Sequence, residues 1–186
     1  MPRRLETRLD GVVWLEPEVH GDERGFMVET YRRDTWAELG VEVEFVQHNH
    51  SRSAKGTLRG LHFQTEPGQA KLVRCPRGSI FDVAVDLRRG SPTYGQWAGF
   101  ELDDRELHQV WIPAGFAHGF YTCSEIADLV YKQTGYYAPE LERSIAWDDP
   151  DVGVRWPLDG DPLLAARDAA APRLREIEHE LPFVYR

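Results

Sequence analysis

The sequence predicts an all-β fold, a sandwich or closed barrel carrying short peripheral helices. Three observations predict it. Short runs rich in Val, Ile, Phe, Tyr and Trp recur along the chain, and the clearest of them alternate apolar and polar residues with the period of a strand. Twelve prolines and sixteen glycines are spread through the 186 residues and punctuate those runs rather than forming a linker. No long helical period lies between the runs, so the crossover helices of a parallel sheet are missing.

Taken in order, Phe26–Tyr31 reads as a strand, and Asp34 can cap a short helix that runs through Leu39 and stops at Gly40. Further strands are expected at Phe45–Ser51, Thr57–Gln64 and Lys71–Cys75. Ser79–Leu87 is the clearest, with Phe81, Val83, Val85 and Leu87 on one face and Asp82, Ala84 and Asp86 on the other. Gln96–Leu102, Gln109–Pro113, Ala117–Thr122 and Leu129–Thr134 complete the set. The polar tail after Trp156 is expected to pack on the barrel edge, because Leu163, Leu164, Leu174 and Ile177 need a surface to cover, and Arg173–Glu180 reads as a C-terminal helix.

Composition sets the remaining bounds. Hydrophobic residues make up 41% and charged ones 28%, which lets a chain of this length bury roughly 70% of its unfolded surface and fold as one domain over residues 1–186. The 22 basic and 31 acidic side chains leave a net charge of −9, which argues against a general binder of nucleic acid or anionic membrane and leaves room for a local basic pocket. Val12–Leu15 is too short an apolar run for a signal peptide or a span, so the chain is expected to be soluble and cytoplasmic, with Cys75 and Cys123 as free thiols.

A histidine on a strand face is the first chemical candidate. In Leu58-Arg59-Gly60-Leu61-His62-Phe63-Gln64 the pleat puts His62 and Gln64 on one side and Arg59 on the other, so both Arg59 and His62 serve one site only if Gly60 marks a bulge. Gly56, His62, Gln64, Lys71 and Gly78 have the spacing of the first motif of the cupin barrels, and Pro113-Ala114-Gly115-Phe116-Ala117-His118 resembles the second. In metal-binding cupins two His and a Glu join the second-motif His around a metal. Here Gln64 and Lys71 stand at or near two of those places, and a Lys ammonium repels a cation, so no metal is expected. His48 and His50 share a face opposite Gln47, Asn49 and Ser51 and read as an outward or interface pair.

A neutral His is a competent base near pH 7 and a neighbouring Lys can stabilise an oxyanion, so proton abstraction beside a carbonyl fits these residues. Return of a proton from the opposite face needs an acid across the pocket, for which Tyr131, Tyr136 and Tyr137 are the candidates.

Longer strings then carry a resemblance. Gly21-Asp22-Glu23-Arg24-Gly25-Phe26, Phe45-Val46-Gln47-His48-Asn49-His50-Ser51, Leu58 through Gln64, Lys71-Leu72-Val73, Asp82 through Arg88, Ser91-Pro92-Thr93-Tyr94-Gly95, Ile112 through Phe120 and Trp147-Asp148-Asp149-Pro150 together resemble the dTDP-4-dehydrorhamnose 3,5-epimerase family, over nearly the whole chain and in order. The resemblance implies a cupin-type jelly roll, homodimeric, that epimerises dTDP-4-keto-6-deoxy-glucose at C3 and C5 without metal or cofactor. It makes His62 the base, Asp168 the carboxylate that orients it with Asp82 as runner-up, Tyr131 the proton donor and Lys71 the cation near the C4 oxygen. Arg59 becomes a contact to sugar or diphosphate, and Tyr137 the ring that stacks on thymine. Arg24, Glu29, Gln47, Asn49, His118, Glu142 and Arg167 match pocket positions, with Arg24 and Glu29 expected to reach the partner subunit's pocket through an exchanged N-terminal strand. One departure is Ala165-Ala166-Arg167-Asp168 in place of the usual Ser-x-Lys-Asp, which keeps the cation and loses the hydroxyl. The alternatives are a C3-only or C5-only epimerase of the same substrate class, a catalytically silent sugar-binding jelly roll, which has no need of a base–carboxylate dyad, and a metal-dependent cupin oxygenase, which elemental analysis would reveal.

Overall fold

The computed structural model describes residues 2–185. Its first strands are β1 (Arg3–Leu5), β2 (Val13–Glu16), β3 (Val19–Asp22) and β4 (Gly25–Val28), followed by helix α1 (Arg33–Glu38). The centre of the chain is all strand: β5 (Gln47–Ala54), β6 (Leu58–Gln64), β7 (Lys71–Arg77), β8 (Ser79–Asp86), β9 (Trp97–Asp103), β10 (Gln109–Ile112), β11 (Phe116–Thr122) and β12 (Ile126–Gln133). A short β13 (Glu142–Ser144) and two one-turn helices, α2 (Ala166–Ala169) and α3 (Leu174–Ile177), complete it.

Two antiparallel sheets face each other, β1-β2-β10-β7-β12-β5 and β13-β6-β11-β8-β9, in the jelly-roll arrangement of a cupin-type barrel. Between them Val73, Val110, Ile112 and Leu129 of the larger sheet meet Ile80, Phe100, Leu102, Phe116 and Phe120 of the smaller. Both faces of the smaller sheet are covered. Its outer side carries Phe63, Val83, Val85 and Leu87, which pack under Ile145, Val152, Leu174 and Leu181 of the C-terminal tail. That double burial explains why β11 has no exposed face and why β8 keeps apolar residues on its outer side. On the larger sheet Trp36 of α1 closes over Val13, Leu15, Leu72 and Trp111.

Several expectations need correction. The tail covers a sheet face rather than an edge, and Leu163 stays exposed: it joins through its backbone, donating to the Gly56 carbonyl and accepting from Leu58 N–H. Asp34 does not cap α1; Arg32 stands at the cap without a side-chain bond, and Asp34 sits in the first turn. The Phe26–Tyr31 strand shortens to Gly25–Val28 and pairs with β3 in a hairpin that joins neither sheet. The strands β1, β2, β3 and β13 and the turn of helix at α2 carry too few residues for periodicity to register.

Candidate active site

A pocket of about 340 Å³ opens between the two sheets, with walls from β5, β7 and β12 on one side and β6 and β11 on the other. Its shape begins with an irregularity in β6. His62 pairs with His118 and Arg59 with Phe120, so β6 carries one more residue than β11 over that stretch. The extra residue restores parity: Arg59 and His62, three apart, both line the pocket, while Leu61 and Phe63 turn to the outer core. Gly60 is the pivot. Its φ is +129°, and a Cβ there would lie 2.5 Å from Gly119 Cα and 2.9 Å from the His118 carbonyl oxygen, so only glycine fits opposite glycine.

His62 Nε2 lies 2.6 Å from Asp168 Oδ1, and the other carboxylate oxygen faces Gly60 N–H at 3.4 Å. Asp168 is 2% exposed and belongs to α2, the turn of tail that crosses behind β6. Burial pushes its carboxyl pKa up, but the bonds from His62 and Gly60 and the nearby Arg167 outweigh burial and hold it below the usual value. A second pair sits beside it on the same sheet: His118 Nε2 is 2.8 Å from Asp82 Oδ2, and Asp82 is fully buried with Oδ1 left without a hydrogen-bond partner. Burial raises the Asp82 pKa, with His118 and Lys71 opposing. The geometry thus gives Asp168 to His62 and Asp82 to His118.

Lys71 and Tyr131 approach from the larger sheet, on β7 and β12. Burial drives the Lys71 ammonium pKa down to about 8, against the pull of Glu142 and Asp82. At the mouth Glu142 ties two groups together, accepting from Tyr137 Oη at 3.0 Å and from Arg167 Nη1 at 2.5 Å. Arg59 donates to Ser53 Oγ at 3.2 Å.

Gln47, Asn49, Arg59, His62, Lys71, His118, Tyr131, Tyr137, Glu142 and Arg167 therefore share one pocket, with Asp168 directly behind His62. Arg24 and Glu29 do not reach it. Arg24 is ion-paired with Asp22 at the tip of the hairpin, and Glu29 faces a separate hollow with Met27, Tyr31 and Trp36 and lies 3.5 Å from Arg32. The sequence reading missed Gln69 and did not single out Gln133 as a site residue, although both line the pocket. Gln133 shares a strand face with Tyr131 and was findable by parity; Gln69, in a loop after Pro67-Gly68, carries no periodic signal. His48 and His50 point away from the pocket, as the alternation of β5 requires.

Chemically, the pocket sets an imidazole–carboxylate pair on one wall opposite an ammonium and a phenol on the other, a set suited to moving a proton beside a carbonyl.

The chain as a whole is similar to known proteins. The family model described as dTDP-4-dehydrorhamnose 3,5-epimerase matches residues 6–176. A protein of Salmonella typhimurium named dTDP-4-dehydrorhamnose 3,5-epimerase is 55% identical over 172 residues, 91% of this chain and 94% of its own. One of the same name from Pseudomonas aeruginosa is 55% identical, covering 84% of this chain and 87% of its own. The solved dTDP-6-deoxy-D-glucose-3,5-epimerase of Legionella pneumophila, crystallised with dTDP-4-keto-L-rhamnose, superposes with a TM-score of 0.97 at 48% identity over all of both chains. On these matches the chain belongs to the dTDP-4-dehydrorhamnose 3,5-epimerase family.

Proposed function

We propose that this chain epimerises dTDP-4-keto-6-deoxy-glucose at C3 and C5, giving dTDP-4-keto-L-rhamnose. The observation that carries the reading is the 2.6 Å His62–Asp168 pair in a pocket whose facing wall holds Lys71 and Tyr131. Asp168 fixes the imidazole tautomer by accepting from one ring nitrogen, so the other is free to take the proton from the carbon beside the C4 ketone. The electron pair moves onto the ketone oxygen, where the Lys71 ammonium balances the enolate charge. Tyr131 returns a proton from the opposite face, and that carbon inverts. Solvent then resets the pair: His62 releases its proton and the Tyr131 phenolate takes one up. The same residues serve the second carbon after the ring re-seats. Gln47, Asn49, Arg59, His118, Glu142 and Arg167 bind the substrate, and Tyr137 stacks on its thymine. No cofactor or metal enters these steps.

The active unit is a homodimer in which Arg24 and Glu29 complete the pocket of the partner subunit by strand exchange. Two features support this: the β3–β4 hairpin is exposed along its length with Phe26 59% and Met27 64% accessible, and β5 is an edge strand beside the pocket. No helix among the described residues is long and apolar enough to cross a membrane, and we place the enzyme in the cytoplasm.

Incubation with dTDP-4-keto-6-deoxy-glucose in deuterated water, read by NMR, tests the reading. Deuterium with inversion at both C3 and C5 is the expected result. Inversion at one carbon would make the chain a single-site epimerase, and no exchange at all would overturn the assignment.

A further inference from the structure

The turn that carries Tyr136 and Tyr137 is tied down by side-chain amides. Gln64 accepts from Ala138 N–H at 2.8 Å and donates to the Tyr136 carbonyl at 3.3 Å. A longer chain of bonds runs behind it. Tyr137 N–H donates to Gln47 Oε1 (2.9 Å), Gln47 Nε2 to Asn49 Oδ1 (3.1 Å), Asn49 Nδ2 to Gln133 Oε1 (2.7 Å), Gln133 Nε2 to Gln69 Oε1 (2.5 Å), and Gln69 Nε2 to the Gly135 carbonyl (2.8 Å). The relay starts and finishes on the same turn, two residues apart.

Its polarity is fixed at both ends. A backbone carbonyl only accepts and a backbone N–H only donates, so Gln69 must present its NH₂ to Gly135 and Gln47 its oxygen to Tyr137. Each amide between them then has one orientation that keeps every link. Gln133 and Gln69 are 3% and 8% exposed, so water does not readily replace a broken link. Every relay nitrogen also keeps a second N–H. Gln47 and Asn49 line the pocket, so the fixed polarity leaves that wall with hydrogen-bond donors for a ligand rich in acceptors, such as a nucleoside-diphosphate sugar.

We propose that Gln69 and Gln133 are positioning residues for the nucleotide sugar: through the relay they orient Gln47 and Asn49 and hold the Tyr137 turn against the same wall. The inference rests on the epimerase reading above and adds residues that govern binding rather than the proton transfers. None of the four relay side chains titrates, so their effect is independent of pH.

The test uses Gln133→Leu, Gln69→Leu and the double variant, with turnover of dTDP-4-keto-6-deoxy-glucose and calorimetric binding of dTDP measured for each and for the unmodified protein. Each single variant should raise KM and weaken dTDP binding about tenfold with kcat within about threefold, and the double variant should fall short of the product of the two effects. A purely structural role would lower the melting temperature and leave KM in place. Folded single variants with unchanged KM and dTDP affinity, a loss confined to kcat, or fully multiplicative effects would each overturn the proposal. If Gln133→Leu does not fold, Gln69→Leu decides alone on the same readout. An unmodified protein that neither binds dTDP nor exchanges deuterium would instead overturn the epimerase reading and this inference with it; one that does both, with silent variants, would overturn only the relay.

Discussion

Removing the imidazole at position 62 should separate binding from chemistry. His62→Ala is expected to lower kcat by at least ~10²-fold, the scale of a lost general base, while calorimetric dTDP affinity stays within a few fold, because the base acts on the sugar. Loss of nucleotide binding in that variant would take the base role away from His62. Tyr131→Phe should slow product formation yet still admit some deuterium from solvent; turnover at the unmodified rate would assign the acid elsewhere. Lys71 makes a pH prediction. Burial holds its free-enzyme pKa near 8, so the ammonium is present below that pH and is lost as pH rises through it. The value of kcat/KM should accordingly fall above pH 8, and Lys71→Arg, which stays charged, should move that alkaline limb upward. A profile flat to pH 10 would mean that the charge on Lys71 does not contribute.

Strand β6 concentrates the constraints that a single element can carry. Its bulge puts Arg59 and His62 on one face, and the backbone at Gly60 has no room for a side chain against Gly119. Gly60→Ala combines overpacking with an unfavourable φ and should cost about 2–4 kcal/mol in urea unfolding. A variant as stable as the original would show that the two strands separate freely there. This element also marks how far the sequence could be read. Parity alone put Arg59 and His62 on opposite faces, and the resemblance put them in one site; Gly60 between them was the physical signal of the bulge that overrides the parity and brings both to one face. Strands long enough for two full alternations, such as β8 and β12, were legible, whereas β1, β3 and β13 were not, since three or four residues carry no period. Gln69 had no local signal at all, because its partners come from other strands and a loop carbonyl.

At the scale of the whole molecule the hairpin is the part that the single chain leaves unfinished. Phe26 and Met27 are more than half exposed on a two-stranded ribbon, a form that is marginal by itself in water. Sedimentation should give twice the 21.4 kDa chain mass, and the Phe26→Asp, Met27→Asp double variant should shift the protein towards monomer with reduced turnover. A monomer that retains full activity would remove Arg24 and Glu29 from the site. The C-terminal tail completes the molecule in a different sense. It covers the outer face of the smaller sheet and, in passing, delivers Asp168 to a histidine 106 positions earlier in the chain. Synthesis runs at roughly 5–20 residues per second, so the ribosome adds the carboxylate about 5–20 s after the imidazole. A nascent or truncated chain that stops short of residue 168 lacks the carboxylate that pairs with His62 and, without Leu174 and Leu181, part of the cover of the smaller sheet, so turnover through the proposed dyad starts only after translation has passed that point.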